Sequence, residues 1–166
     1  MPSVAKPLSA ARSGPKPDFT IAFVNSVRNV FSKMVKLATE IEKPREKTAS
    51  EPSHDVSAIV GMSGDVTGSV VVCFNMAAAA KIVDAFAGFT VEPSSPEFAD
   101  AIGELANMIA GNAKKDLGAT VNITVPSVVI GPGHHVAQLK NASCMVLTCK
   151  TPAGDFQVEV SAKSRS

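Results

Sequence analysis

The stretch PEFADAIGELANMIAGNAKKDLG, residues 96–118, is the best-defined element of the chain, and the fold is read outward from it. Phe98, Ile102, Leu105 and Ile109 fall within roughly 60° of one another when each residue advances about 100°, and Leu117 is assigned to the same core stripe. The spacing predicts a helix over 97–117, with Ser95 as cap, Pro96 in the first turn and Gly118 closing it. The opposite side carries Asp100, Glu104, Asn107, Gly111 and Lys114. Glu104 and Asn107 are spaced i, i+3, so their side chains are neighbours on the helix surface. Gly111, one turn further on that side, costs a helix about 1 kcal/mol relative to alanine. Close approach of another molecule to the backbone is one explanation for it; Gly103, in the helix interior, is read as a packing residue. From periodicity alone this is either a plainly solvated face or a contact face.

Upstream, Phe23, Val27, Val30, Phe31 and Met34 give a first helix from Asp18, capped by Asp18 or Thr20 and fading over Lys36 to Thr39. Glu40 to His54 is charged, contains Pro44 and Pro52, and reads as a connection or an exposed extended segment. Val56–Met62 and Val66–Phe74 form a hairpin around Ser63-Gly64-Asp65. Asn75 caps an alanine-rich helix over Met76–Phe86 that Gly88 ends. Downstream lie the β-rich runs Val121–Ile130, Val136–Lys140, Ala142–Cys149 and Phe156–Val160, with turns at Gly131-Pro132-Gly133, Asn141 and Pro152-Ala153-Gly154. The expected fold class is therefore α+β, a mainly antiparallel sheet with helices packed on one face. The two halves carry a coarse echo of a helix-then-strands unit.

Composition bounds the function classes. With 45% hydrophobic and 19% charged residues, the chain is not intrinsically disordered. Residues 1–17 read as a flexible Pro-rich tail and 18–166 as one domain. Sixteen basic residues against 15 acidic ones leave a net charge of +1, which argues against a nucleic-acid partner held through its phosphates. No apolar run approaches the roughly 18 residues of a membrane helix, and no signal peptide is present, so no membrane association is expected. Cys73, Cys144 and Cys149 lack C-x-x-C spacing and read as reduced, buried thiols of a cytoplasmic protein. Cys144 and Cys149, on one strand at an odd offset, should face opposite ways.

Several signatures fail. Gly61-Met62-Ser63-Gly64-Asp65 has Asp65 where a nucleophile elbow needs its second glycine, and hairpin chemistry explains it better. His134-His135 is an adjacent pair that points opposite ways, read as a solvent-exposed turn. No phosphate loop and no metal-ligand spacing is present, so no metal site is expected.

The run Asp100-Ala-Ile-Gly-Glu104-Leu-Ala-Asn107-Met-Ile-Ala-Gly-Asn-Ala-Lys114 resembles the signature helix of the CheC/CheX family of chemotaxis phosphatases, the CheX branch more nearly. Phe23–Phe31, the hairpin Ile59–Val72 and Pro126–Gly131 with His134 just after add to the resemblance, which spans about Thr20 to Val160. It implies dephosphorylation of the phospho-aspartate of a CheY-like response regulator. Glu104 and Asn107 would be the catalytic pair, and Asp100, Gly111 and Lys114 would meet the partner. Asn107 would position the attacking water and Glu104 would contact the regulator's lysine. The protein would need no cofactor of its own, because the Mg²⁺ belongs to the regulator. A homodimer is likewise implied. The first helix offers Asn25 and Asn29 without a glutamate at the needed spacing, so one site per chain is expected. The family's downstream proline is matched by either Pro126 or Pro132. The alternative on the same fold is a non-catalytic, regulator-binding or flagellar-switch-like adaptor.

Overall fold

The computed structural model of the chain describes residues 17–117, 120–138 and 143–164. The expected tail, apart from Pro17, lies outside the described residues, as do Gly118 and the turn at Asn141.

Helix α1 spans Pro17–Val30, so it opens within the expected tail, and Thr20 sits inside the helix instead of capping it. It runs into a π-helical turn, Phe31–Val35, in which the Lys36 amide donates to the Phe31 carbonyl at 2.6 Å, five residues back. The wider turn admits one extra residue and rotates the apolar stripe by one position. Val35 is therefore 2% exposed and continues the core, whereas Met34, expected there, is 48% exposed. Lys36 closes the turn in the left-handed conformation.

The strands are β1 (Glu40–Ile41), β2 (Arg45–Glu46), β3 (His54–Gly64), β4 (Val66–Phe74), β5 (Val121–Ile123), β6 (Ser127–His134), β7 (Cys144–Thr151) and β8 (Gly154–Ser164). They form one sheet in the order β1-β7-β8-β4-β3-β5, with β2 also on β7 and β6 also on β3. Every pairing is antiparallel. β3 and β4 are the expected hairpin, turned at Gly64 with φ of 101°. Two further helices follow β4. α2 spans Met76–Ala87, capped by Asn75, whose Oδ1 accepts from the Ala78 amide at 2.8 Å. α3 spans Pro96–Asp116.

Some readings of the strands change. Of the two readings of Glu40–His54, the exposed extended segment fits β1 and β2, which pair with β7 and supply an edge that only a distant strand can complete. The run Val121–Ile130 breaks at Thr124-Val125-Pro126 into β5 and β6, which pair in turn with successive parts of β3. Gly131-Pro132-Gly133 lies within β6, not at a turn, and an irregular register between His54 and Val56 accommodates it. Val136–Gln138 is not a strand.

The helices cover one face of the sheet. Val56, Ala58, Val60, Val70, Val72, Val158 and Val160 meet Phe23, Phe31, Ile102, Leu105 and Ile109 in one core. Phe156 stacks between Phe31 (4.7 Å between centroids) and Phe74 (5.5 Å). Cys149 joins this core, while Cys144, buried outside it, faces the other way, as the odd offset required. All three thiols are free and buried.

The reverse face is covered by the chain's own crossovers. Lys47 Nζ donates to Glu159 Oε1 at 3.0 Å and to the Val136 carbonyl at 2.9 Å. Gln138 Nε2 donates to the same oxygen at 3.2 Å, and its Oε1 accepts from Ser69 Oγ. Arg45 makes a two-pronged contact with Glu51 at 2.6 and 2.8 Å, and that guanidinium, helped by Thr48, holds the carboxyl down at a pKa of about 2. His134, half-buried at the end of β6, belongs to this layer and not to a turn, whereas His135 is exposed as expected and touches the layer's edge. His134 Nε2 lies 2.8 Å from Ser57 Oγ, and His135 Nε2 lies 3.1 Å from the Glu51 carbonyl. Among the described residues, no helix is long and apolar enough to cross a membrane.

Candidate active site

α3 starts because Pro96 presets its first turn after Ser95, whose backbone is extended. The Ser95 hydroxyl does not cap: it donates back to the Glu92 carbonyl at 2.7 Å. Glu97 in the first turn and Lys114 and Lys115 in the last complement the helix dipole. Phe98, Ile102, Leu105, Ala106, Ile109, Ala110 and Ala113 are buried and fix the helix's rotation about its own axis. Ser26 Oγ on α1 donates to the Ile109 carbonyl at 2.6 Å and pins its axial position.

With that stripe buried, Asp100, Glu104 and Lys114 are exposed, and Asn107 and Gly111 are half-buried. The sequence-derived face is the open face. No hydrogen bond or ion pair engages Glu104 or Asn107 among the described residues. The next asparagine shows the contrast: Asn112 Oδ1 accepts from Asn29 Nδ2 at 3.1 Å, tying α3 to α1. Asn29 on the first helix is thus a structural partner of α3.

Glu104 and Asn107 border a cleft of about 470 Å³, one wall of which is Ala99, Asp100, Gly103, Glu104 and Asn107. The facing wall is Ile123, Thr124, Val125, Pro126 and Val128, the break between β5 and β6. That wall is held in place from β3: the Gly61 amide donates to Thr124 Oγ1 at 2.9 Å, and the Thr124 amide donates to the Gly61 carbonyl at 3.0 Å. A Cβ on Gly61 would stand 3.2 Å from Thr124 Cγ2, so glycine there admits the wall. Gly103 is buried against Val128 and Pro126, at 3.4 and 3.8 Å from where its Cβ would be, in keeping with a packing role. Among the described residues nothing lies within 4 Å of that point at Gly111, so none of their contacts explains it.

Of the two candidate prolines, Pro126 lines the cleft and Pro132 lies within β6. The wall residues Thr124 and Val125 were not foreseen, because the run they interrupt reads as one strand. Val125 is 86% exposed, an apolar side chain at the rim. The cleft gathers no trio of metal-ligating side chains among the described residues. Ser63, at the tip of β3, lies on the hairpin and is not among the residues that line the cleft. What it offers is a carboxylate and a carboxamide side by side, free to bind something brought to them.

Residues 56–150 match the family model for chemotaxis phosphatase CheX. The CheY-P phosphatase CheX of Thermotoga maritima is 32% identical over 114 residues, covering 66% of this chain and 74% of that protein. Among solved structures, the chemotaxis protein CheX from Desulfovibrio desulfuricans superposes with a TM-score of 0.80 at 30% identity, covering 89% of this chain and 99% of the other. CheX in the CheX–CheY–BeF3–Mg²⁺ complex from Borrelia burgdorferi has the same fold, with a TM-score of 0.75 at 21% identity over 90% of this chain and all of that one.

Proposed function

The chain belongs to the CheX family of chemotaxis phosphatases, and we propose that it hydrolyses the aspartyl phosphate of a CheY-like response regulator by presenting Glu104 and Asn107 to the regulator's phosphorylation site. The observation that carries this reading is the unpartnered pair at the lip of the cleft, on a helix whose other side is locked in the core.

An acyl phosphate is already activated, so the reaction asks chiefly for a water in line with the phosphorus. The Asn107 carboxamide both donates and accepts, and so can orient such a water. The water oxygen bonds to phosphorus as the bond to the aspartyl oxygen breaks. The carboxylate leaves, inorganic phosphate is released, and the water's surplus proton passes to solvent. Glu104 contacts the regulator's active-site lysine by a charge-assisted hydrogen bond and fixes the docked register. Asp100 and Lys114 extend the contact along the same face, and Gly111 leaves room for the partner's loops. The Mg²⁺ is supplied by the regulator, and the reaction takes no metal from this chain. On this reading the protein works in the cytoplasm. It works as a homodimer, for which β6 offers Val129 and Ile130, 40% and 43% exposed.

Phosphate loss from a phosphorylated CheY-like protein tests the reading. Asn107→Ala should slow catalysed decay at least about 100-fold with an unchanged circular dichroism spectrum. An unaltered rate, or stoichiometric binding without faster decay in the wild type, would favour the adaptor.

A further inference from the structure

The reverse face of the sheet holds a second group of reactive side chains, far from the cleft. One ring nitrogen of His54, the Cys73 Sγ and a Glu159 carboxylate oxygen lie within 4.8 Å of one another, and all three residues are buried. His54 is 7% exposed, and its buried Nε2 has no hydrogen-bond partner among the described residues. A buried ring nitrogen left in this way forfeits about 1–3 kcal/mol. His134 and His135 are engaged by Ser57, Gly131 and Glu51, which leaves His54 as the histidine with a free donor atom at this corner. A cleft of about 230 Å³ reaches the place, lined by His54, Cys73 and Gln157 among others. The buried Oε1 of Gln157 is also without a partner.

We propose that His54, Cys73 and Glu159 form a binding site for one Zn²⁺ ion, with its fourth position open toward this cleft. The donor set is imidazole, thiolate and carboxylate, a combination that suits a borderline-soft divalent ion. Tetrahedral bonds of about 2.0–2.3 Å require donors roughly 3.5 Å apart, so the side chains close in by about an ångström. The two anions balance the ion's charge. His54 would bind as the neutral imidazole and Cys73 as the thiolate, its thiol proton displaced by the ion. Binding forms the S–Zn bond and releases that proton to solvent. Lys47 and Gln138 both hold Glu159 through Oε1, leaving the other oxygen for the ion. Lys47 also retains its bond to the Val136 carbonyl. The ion would clamp the start of β3 onto β4 and β8, stabilising the fold and leaving the phosphatase face alone.

The full-length chain, stripped with a chelator, is titrated with Zn²⁺ against a chromophoric chelator. One ion per chain is expected, with a higher melting temperature. His54→Ala and Cys73→Ser should each weaken binding by at least about 100-fold, and His135→Ala should leave it within about threefold. In a Cys144→Ala, Cys149→Ala double variant, which leaves the three ligands untouched, Co²⁺ should give a thiolate-to-metal charge-transfer band. Failure of the wild type to take up one ion, affinity unmoved by both ligand variants, or no such band in the double variant would overturn the site.

Discussion

On the outer side of α3, Glu104 and Asn107 have no hydrogen-bond or ion-pair partner among the described residues. On the reverse side of the sheet, Glu159 accepts from both Lys47 and Gln138 while only 2% exposed. Both regions place a carboxylate near an amide side chain, and the surroundings decide their use. A buried carboxylate must be met from within the chain, because water no longer solvates it. One at the rim of an open cleft keeps its bonding capacity for whatever arrives. Pairing therefore separates an atom committed within the chain, such as Glu159 Oε1, from atoms left open to what arrives, where residue type does not.

The largest expected effect comes from breaking the buried side of this comparison. Lys47→Met leaves Glu159 without its cation and should cost about 3 kcal/mol, read as a shift in denaturant midpoint at unchanged slope. On the open side, Asn107→Ala should move stability by less than about 0.5 kcal/mol while raising the barrier to dephosphorylation by about 2.7 kcal/mol, the equivalent of 100-fold. A stability loss as large as that of the lysine variant would erase the distinction between the regions. Asn112→Ala tests it within one helix. Removing the partner of Asn29 should cost about 1 kcal/mol and leave the dephosphorylation rate within about twofold.

Gly111→Ala should stabilise the free protein by up to about 1 kcal/mol, since the space around that position is open. If a partner packs there, the same variant should raise the KM for the phosphorylated regulator. A more stable protein with unchanged KM would remove Gly111 from the docking face. The smallest effect concerns pH. The Glu51 carboxyl titrates near 2 in the folded chain, against the usual value near 4.5. The unfolded chain therefore takes up this proton first as the pH falls, and the stability the pair contributes declines from about pH 4.5 down to about 2. The stability difference between wild type and Glu51→Gln, measured by denaturant titration at each pH, should narrow over that window.

The open face of α3 was legible because helical periodicity is local. Four apolar residues at the right spacing, Phe98, Ile102, Leu105 and Ile109, state which side is buried, and so which side carries Glu104 and Asn107. The β3–β4 hairpin and the Asn75 cap were legible for the same reason, since their bonds join near neighbours in the chain. Met34 was misplaced because one added residue in a π-turn rotates every later side chain, and no apolar spacing announces it. The reverse face was not legible. β8 reads Phe156-Gln157-Val158-Glu159-Val160-Ser161-Ala162, an alternation that ordinarily means one wet side. Yet Glu159 and Ser161 are buried, because segments around Lys47 and Gln138 lie over them.

The sequence by itself determined the helices, the central hairpin, the α+β class and the residues of the exposed helical face. These follow from spacing within about twenty residues. Only the tertiary structure decided that Thr124–Pro126 forms the far wall of the cleft, that β1 and β2 complete an edge on β7, and that His54, Cys73 and Glu159 come together behind the sheet. Those outcomes depend on which distant segments share a register, and strand pairing across the chain leaves no periodic mark on either partner alone.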